Sequence, residues 1–107
     1  MKVRTAKLED KFVKTELKAS KDAWTETTEG NVTVYVQHIT AAGVTSSTEG
    51  KLWPRLTAKS ADAAVTEMKA QNVFFANGKG YTQDGEVLLK CFRKRPGSDF
   101  GLMLEGK

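Results

Sequence analysis

Glu86-Val87-Leu88-Leu89-Lys90-Cys91-Phe92-Arg93-Lys94, then Pro96-Gly97-Ser98, then Phe100-Gly101-Leu102-Met103-Leu104-Glu105, is the stretch on which the fold turns. Apolar residues alternate with others in both outer segments, the period of two expected of half-buried strands. Pro96-Gly97 suits the centre of a type II turn and Gly97-Ser98 that of a type II′ turn. A two-residue loop in either frame puts Val87, Leu89 and Cys91 on one face with Phe100, Leu102 and Leu104. The stretch therefore reads as a closing hairpin with a core face of six apolar side chains.

Working back along the chain, residues 73–76, Asn77-Gly78-Lys79-Gly80, residues 81–83 and Asp84-Gly85 read as a meander with two glycine turns leading into this hairpin. Before it lies a helix over residues 61–71, capped by Ser60. Ala61, Ala64, Val65 and Met68 follow the i, i+3, i+4, i+7 rule and form its expected buried stripe. Asp62 near its start and Lys69 near its end suit the macrodipole. Residues 51–59 read as extended, with Pro54 confining them to a sheet edge or to a place outside the sheet. Residues 40–50, small and polar, are expected to form a mobile loop.

Residues 23–28 and 32–39 read as a hairpin around Gly30-Asn31, with β-branched residues in both arms. Its two-residue loop pairs Glu29 with Val32, Thr27 with Val34 and Thr25 with Val36. Val32, Val34 and Val36 are expected to face the core, with Trp24 and Tyr35 on the opposite face. Residues 11–20 alternate and read as a strand despite their good helix formers. The sum is an α+β fold: a mostly antiparallel sheet of about five to seven strands with one helix packed on one face. With 107 residues and no repeat, linker or low-complexity tract, the chain reads as one domain, residues 1–107.

Composition bounds the function. No apolar run approaches the ~18 residues of a membrane span, and the basic Met1–Lys7 segment is not followed by a signal-peptide core. A single cysteine excludes an internal disulfide and fits a cytoplasmic setting. Asn31-Val32-Thr33 matches a glycosylation sequon by chance. The formal net charge is +4, yet residues 23–50 hold no Lys or Arg. Any anion-binding surface should exclude that stretch.

Catalytic signals are weak. His38 and Cys91 are the only residues of their kinds, and each has a bland place, at a strand end and on an apolar face. They cannot supply a structural zinc site, and Glu9-Asp10 and Asp84/Glu86 lack the pattern of a calcium loop. Asn77-Gly78-Lys79-Gly80 is not followed by the helix that a phosphate-binding loop needs. The expectation is a protein that is not an enzyme and carries no cofactor and no metal.

Two patterns carry the functional expectation. Lys51, Trp53 and Arg55, and again Lys90, Phe92 and Lys94, read cation-x-aromatic-x-cation. In an extended segment each triplet points to one side, a combination suited to stacking bases and contacting phosphates. Arg93, with Lys94 and Arg95, extends the positive field. The leading expectation is a non-catalytic nucleic-acid-binding module with a basic, aromatic-bearing β-surface of Lys51, Trp53, Arg55, Lys90, Phe92, Arg93 and Lys94. It should take single-stranded nucleic acid with low sequence specificity and have no membrane partner. The alternative is a small protein-binding regulator or inhibitor docking through Trp24 and Tyr35 or through a strand edge. A third reading is a structural subunit of a symmetric assembly.

Overall fold

The computed structural model describes residues 13–106. The Met1–Lys7 segment, Glu9-Asp10 and the 11–12 start of the first strand lie outside the described residues. Among the described residues, seven strands and one helix follow in the order β1 (Val13–Ala19), β2 (Thr25–Glu29), β3 (Val32–Thr40), β4 (Gly50–Arg55), α1 (Ala61–Asn77), β5 (Gly78–Gln83), β6 (Glu86–Phe92) and β7 (Phe100–Gly106). The class is α+β and every strand pair is antiparallel. The strands form two sheets where one was expected: a three-stranded sheet in the order β1-β7-β4 and a four-stranded sheet in the order β2-β3-β6-β5. None of the described helices is long and apolar enough to cross a membrane.

The closing hairpin is not formed. Arg93 takes a left-handed φ of 72° and its amide donates to the Thr33 carbonyl, so the chain leaves the sheet after Phe92. It crosses through buried Pro96 and enters the other sheet at Phe100, between β1 and β4. The six apolar residues still meet, across the space between the sheets rather than along one sheet. Leu17, Ala19, Phe100, Leu102 and Leu104 face Val87, Leu89 and Cys91, with half-buried Tyr35 and Ile39 packed against them.

The β2–β3 register is the expected one, with Glu29 opposite Val32 and Thr25 opposite Val36. Its faces are reversed. Pairing of β3 with β6 sets Tyr35 beside Cys91, Gln37 beside Leu89 and Ile39 beside Val87, so Tyr35 lies on the core side and Val34 and Val36 on the outer side. Val34 is fully buried there, beside Phe92 and Thr27. Gln37 is buried too, and its amide is matched to a single backbone unit: Oε1 accepts from the Ser20 amide (2.8 Å) and Nε2 donates to the Ser20 carbonyl (2.9 Å). That pair of bonds ties the end of β1 to β3 and leaves neither amide atom unpaired.

Leu52 of β4 lies over Gly80 of β5, where any β-carbon would collide with it. Thus the second edge of the sandwich closes through a glycine. The 41–49 loop is also tied to the turn beneath it. Gly85, at φ 78°, donates to the Val44 carbonyl (2.7 Å) and accepts from Ala41 (2.8 Å), while Asp84 accepts from the Ser46 amide. Ala41 and Val44 are buried, so this segment is anchored, against the expectation of a mobile loop.

Ser60 caps α1 as expected, its hydroxyl accepting from the Ala63 amide. The helix runs on to Asn77, taking in residues 73–76, read as a strand of the meander, and the first residue of the expected turn. Its buried positions are Glu67, Ala70, Gln71 and Phe74, roughly 120° around the axis from the expected stripe at 3.6 residues per turn. Val65 and Met68 of that stripe are 47% and 42% exposed. The buried face is partly polar because the helix meets backbone. Glu67 accepts from the amides of Thr57, Ala58 and Gly101 and from the Thr57 hydroxyl, all within 2.9 Å. Gln71 donates to the carbonyls of Arg55 and Gly101. Phe74 packs on Phe100 with ring centroids 5.8 Å apart.

Phe74→Ala should destabilise the fold by about 3–5 kcal/mol, whereas Phe75→Ala, at an exposed position, should cost under about 1 kcal/mol; denaturant titration distinguishes them. Burial pushes the Glu67 pKa up, but the hydrogen bonds from Ala58, Thr57 and Gly101 outweigh it and hold it below 4.5. Its contribution is therefore whole above the unfolded-state value and is lost as pH falls through the lower folded value. Glu67→Gln should cost about 1–3 kcal/mol at neutral pH and flatten the loss of stability in acid, read from unfolding curves recorded across pH.

Candidate nucleic-acid interface

Alternation along β5 and β6 builds one face from residues that point away from the core. Val87, Leu89 and Cys91 point inward, so Leu88, Lys90 and Phe92 point outward. Lys79 lies opposite Lys90 and Tyr81 opposite Leu88, so both share that outer face. Tyr81 is 36% exposed, with the Lys79 ammonium 5.6 Å and the Lys90 ammonium 5.5 Å from its ring centroid. Two cations thus converge on one aromatic ring from neighbouring strands. Lys90 also donates to Glu29 at 2.7 Å, and that hydrogen bond raises its pKa. Its charge is shared between the ring and the carboxylate.

Phe92 is the next outward residue on β6. It lies half-buried in a shallow depression with Val32, Gly78, Lys79 and Arg93 around it. Glu86 is bonded to His38 on the same face, so the Glu29 and Glu86 carboxylates are both engaged. Among the described residues, no carboxylate stands within ion-pair distance of Lys79, Arg93 or Lys94.

The expected seven-residue surface is divided by the fold. Lys51, Trp53 and Arg55 do share one side of β4, with the Lys51 ammonium 5.9 Å from the Trp53 ring. That side is the outer face of the three-stranded sheet, where Trp53 pairs with Met103. The charges there are partly matched: Arg55 meets Glu16 at 3.2 Å and Lys14 meets Glu105 at 3.7 Å. Lys90 and Phe92 lie on the outer face of the other sheet, with the whole core between the two triplets. Lys94 does not extend the second triplet, because the left-handed Arg93 ends the strand alternation. Arg95 turns to the opposite side, 5.7 Å from the Tyr35 ring.

Trp24 and Tyr35 do not form an exposed pair. Trp24 is 8% exposed within the core cluster, and Tyr35 packs against it. The physical reason is the β3–β6 register, which turns this side of the hairpin toward the other sheet. The Trp24 Nε1 is buried with no hydrogen-bond partner among the described residues. His38 and Cys91 lie on opposite faces of the sheet, and burial pushes the Cys91 thiol up to about 12, so it is a packed thiol and not a poised nucleophile.

Lys79 was missed in the sequence because Asn77-Gly78-Lys79-Gly80 read as a turn, and Tyr81, in the extended 81–83 segment, was left without a cation beside it. The alternation of Lys79, Tyr81 and Gln83 around Gly80 and Thr82 is the signal that could have found them. Comparison of the chain with known families, with curated proteins and with solved structures yields no match.

Proposed function

We propose that this protein is a non-catalytic module that binds single-stranded nucleic acid, with little sequence specificity, on the outer face of its four-stranded sheet. The observation that carries this reading is the placement of Tyr81 between the Lys79 and Lys90 ammonium groups, with Phe92 and Arg93 further along the same face. A base stacked on an exposed ring gains ~1–3 kcal/mol and needs no particular hydrogen-bond pattern. Cations flanking the ring are then in reach of the adjoining phosphates. Tyr81 is the stacking residue, Phe92 a second and more recessed platform, and Lys79, Lys90 and Arg93 the phosphate contacts. Glu29 competes with phosphate for Lys90 and limits affinity. A cytoplasmic setting belongs to the same proposal, since the lone cysteine is suited to a reducing compartment.

The Lys51, Trp53 and Arg55 face is the weaker candidate. Glu16 and Glu105 already neutralise part of its charge, and Trp53 has no second exposed aromatic beside it in β1 or β7.

Fluorescence anisotropy with a labelled single-stranded oligonucleotide tests the assignment. Binding should weaken with salt at a slope of about −2 in log K against log[salt], for three phosphate contacts. Tyr81→Ala should weaken it about tenfold, and Lys79→Glu with Arg93→Glu should abolish it. Trp53→Ala should leave it unchanged. No binding at low salt, or loss with Trp53→Ala alone, would reject the proposed face.

A further inference from the structure

The outer face of the four-stranded sheet is ordered in rows that cross the strands. Pairing sets Tyr81 of β5, Leu88 of β6 and His38 of β3 side by side, and all three point away from the core. The next row holds Lys79 and Lys90, about 6.6 Å further along the strands, with Arg93 beyond it. On the other side of the Tyr81 row stand Gln83, Glu86 and Thr40, with no Lys or Arg among them. The face is therefore basic on one side of the row and acidic or neutral on the other.

His38 has a 59% exposed side chain. Its Nδ1 donates to the Glu86 carboxylate, which ties the ring to the neighbouring strand. Half-buried Leu88 floors the gap between the two rings. Two strand spacings separate Tyr81 from His38, about 9.5 Å. That is nearly three times the ~3.4 Å rise between stacked bases in a duplex, so bases seated on the two rings are not stacked on each other.

Resting on the nucleic-acid reading above, we infer that His38 is a further stacking residue and that the bound single strand crosses the sheet along the Tyr81–Leu88–His38 row. Charge sets how the strand lies. Its sugar-phosphate backbone runs over Lys79 and Lys90, and its bases reach across the row toward Gln83, Glu86 and Thr40, which keeps the phosphates away from the Glu86 carboxylate. An imidazole, like a phenol ring, offers a π-face to any base, so the row adds affinity without adding sequence preference. A duplex keeps its bases stacked inside and presents no face to either ring, so the row selects single strands.

Anisotropy titration of the full chain with a labelled single-stranded oligonucleotide, across salt concentrations, tests the inference. His38→Ala should weaken binding by about 5–10-fold and leave the slope of log K against log[salt] unchanged, because no phosphate contact is lost. His38→Phe, which keeps a ring, should stay within about twofold of wild type. The position is exposed, so both variants should keep the wild-type unfolding midpoint. Binding that Tyr81→Ala weakens and His38→Ala does not would overturn the inference and leave the nucleic-acid reading standing. Equal losses in His38→Ala and His38→Phe with a shallower salt slope would make His38 a charge contact, and would overturn it too. No binding by the wild-type chain at low salt would reject the reading and the inference together.

Discussion

Strand β6 is paired on both sides, with β3 and with β5, and its inward residues Val87, Leu89 and Cys91 are buried to 1% exposure or less. That alternation constrains everything around it. A slip of one residue would send Leu88, Lys90 and Phe92 into the core and expose the three side chains that meet Phe100, Leu102 and Leu104. Burying one unpaired ammonium would cost far more than any gain from repacking. The same register turns Tyr35 inward on β3, and it turns Lys79 and Tyr81 outward on β5. Core and candidate site are thus two sides of one pleat.

The helix completes this arrangement by polar as well as apolar contact. At Gly101 the amide donates to Glu67 and the carbonyl accepts from Gln71, so two helix side chains satisfy the backbone of β7. Phe74 meanwhile reaches Phe100 on the adjoining position. A buried carboxylate is usually a reason to look for chemistry. Glu67 has its oxygens occupied by backbone amides and a hydroxyl, and a lowered pKa follows from those bonds. It acts as a clamp between α1 and β7.

Local signals in the sequence were legible where the outcome is local. The Gly30-Asn31 and Asp84-Gly85 turns, the β2–β3 register and the Ser60 cap all depend on neighbours within a few residues. So was the inward alternation of Val87, Leu89, Cys91, Phe100, Leu102 and Leu104. What was not legible is long-range. Pro96-Gly97-Ser98 is compatible with a hairpin, and only the insertion of β7 between β1 and β4 makes it a crossover. The hairpin face was misread because three valines outweighed Tyr35, Gln37 and Ile39, although Gln37 finds both its partners at Ser20. The buried stripe of α1 was misread because Glu67 and Gln71 count as surface residues until their backbone partners are known. Of the candidate site, Lys90, Phe92 and Arg93 were legible, whereas Lys79 was hidden in an apparent glycine turn and Tyr81, just after it, lost its link to Lys79.

Because the core separates the two aromatic faces, the site has a direct spatial test. An amide and side-chain NMR titration of the full chain with a short single-stranded oligonucleotide maps contact residue by residue. The account predicts shifts concentrated at Lys79, Tyr81, Lys90, Phe92 and Arg93, with Lys51, Trp53 and Met103 unmoved. Shifts concentrated at Trp53 and its neighbours on the three-stranded sheet, or none at all, would contradict it.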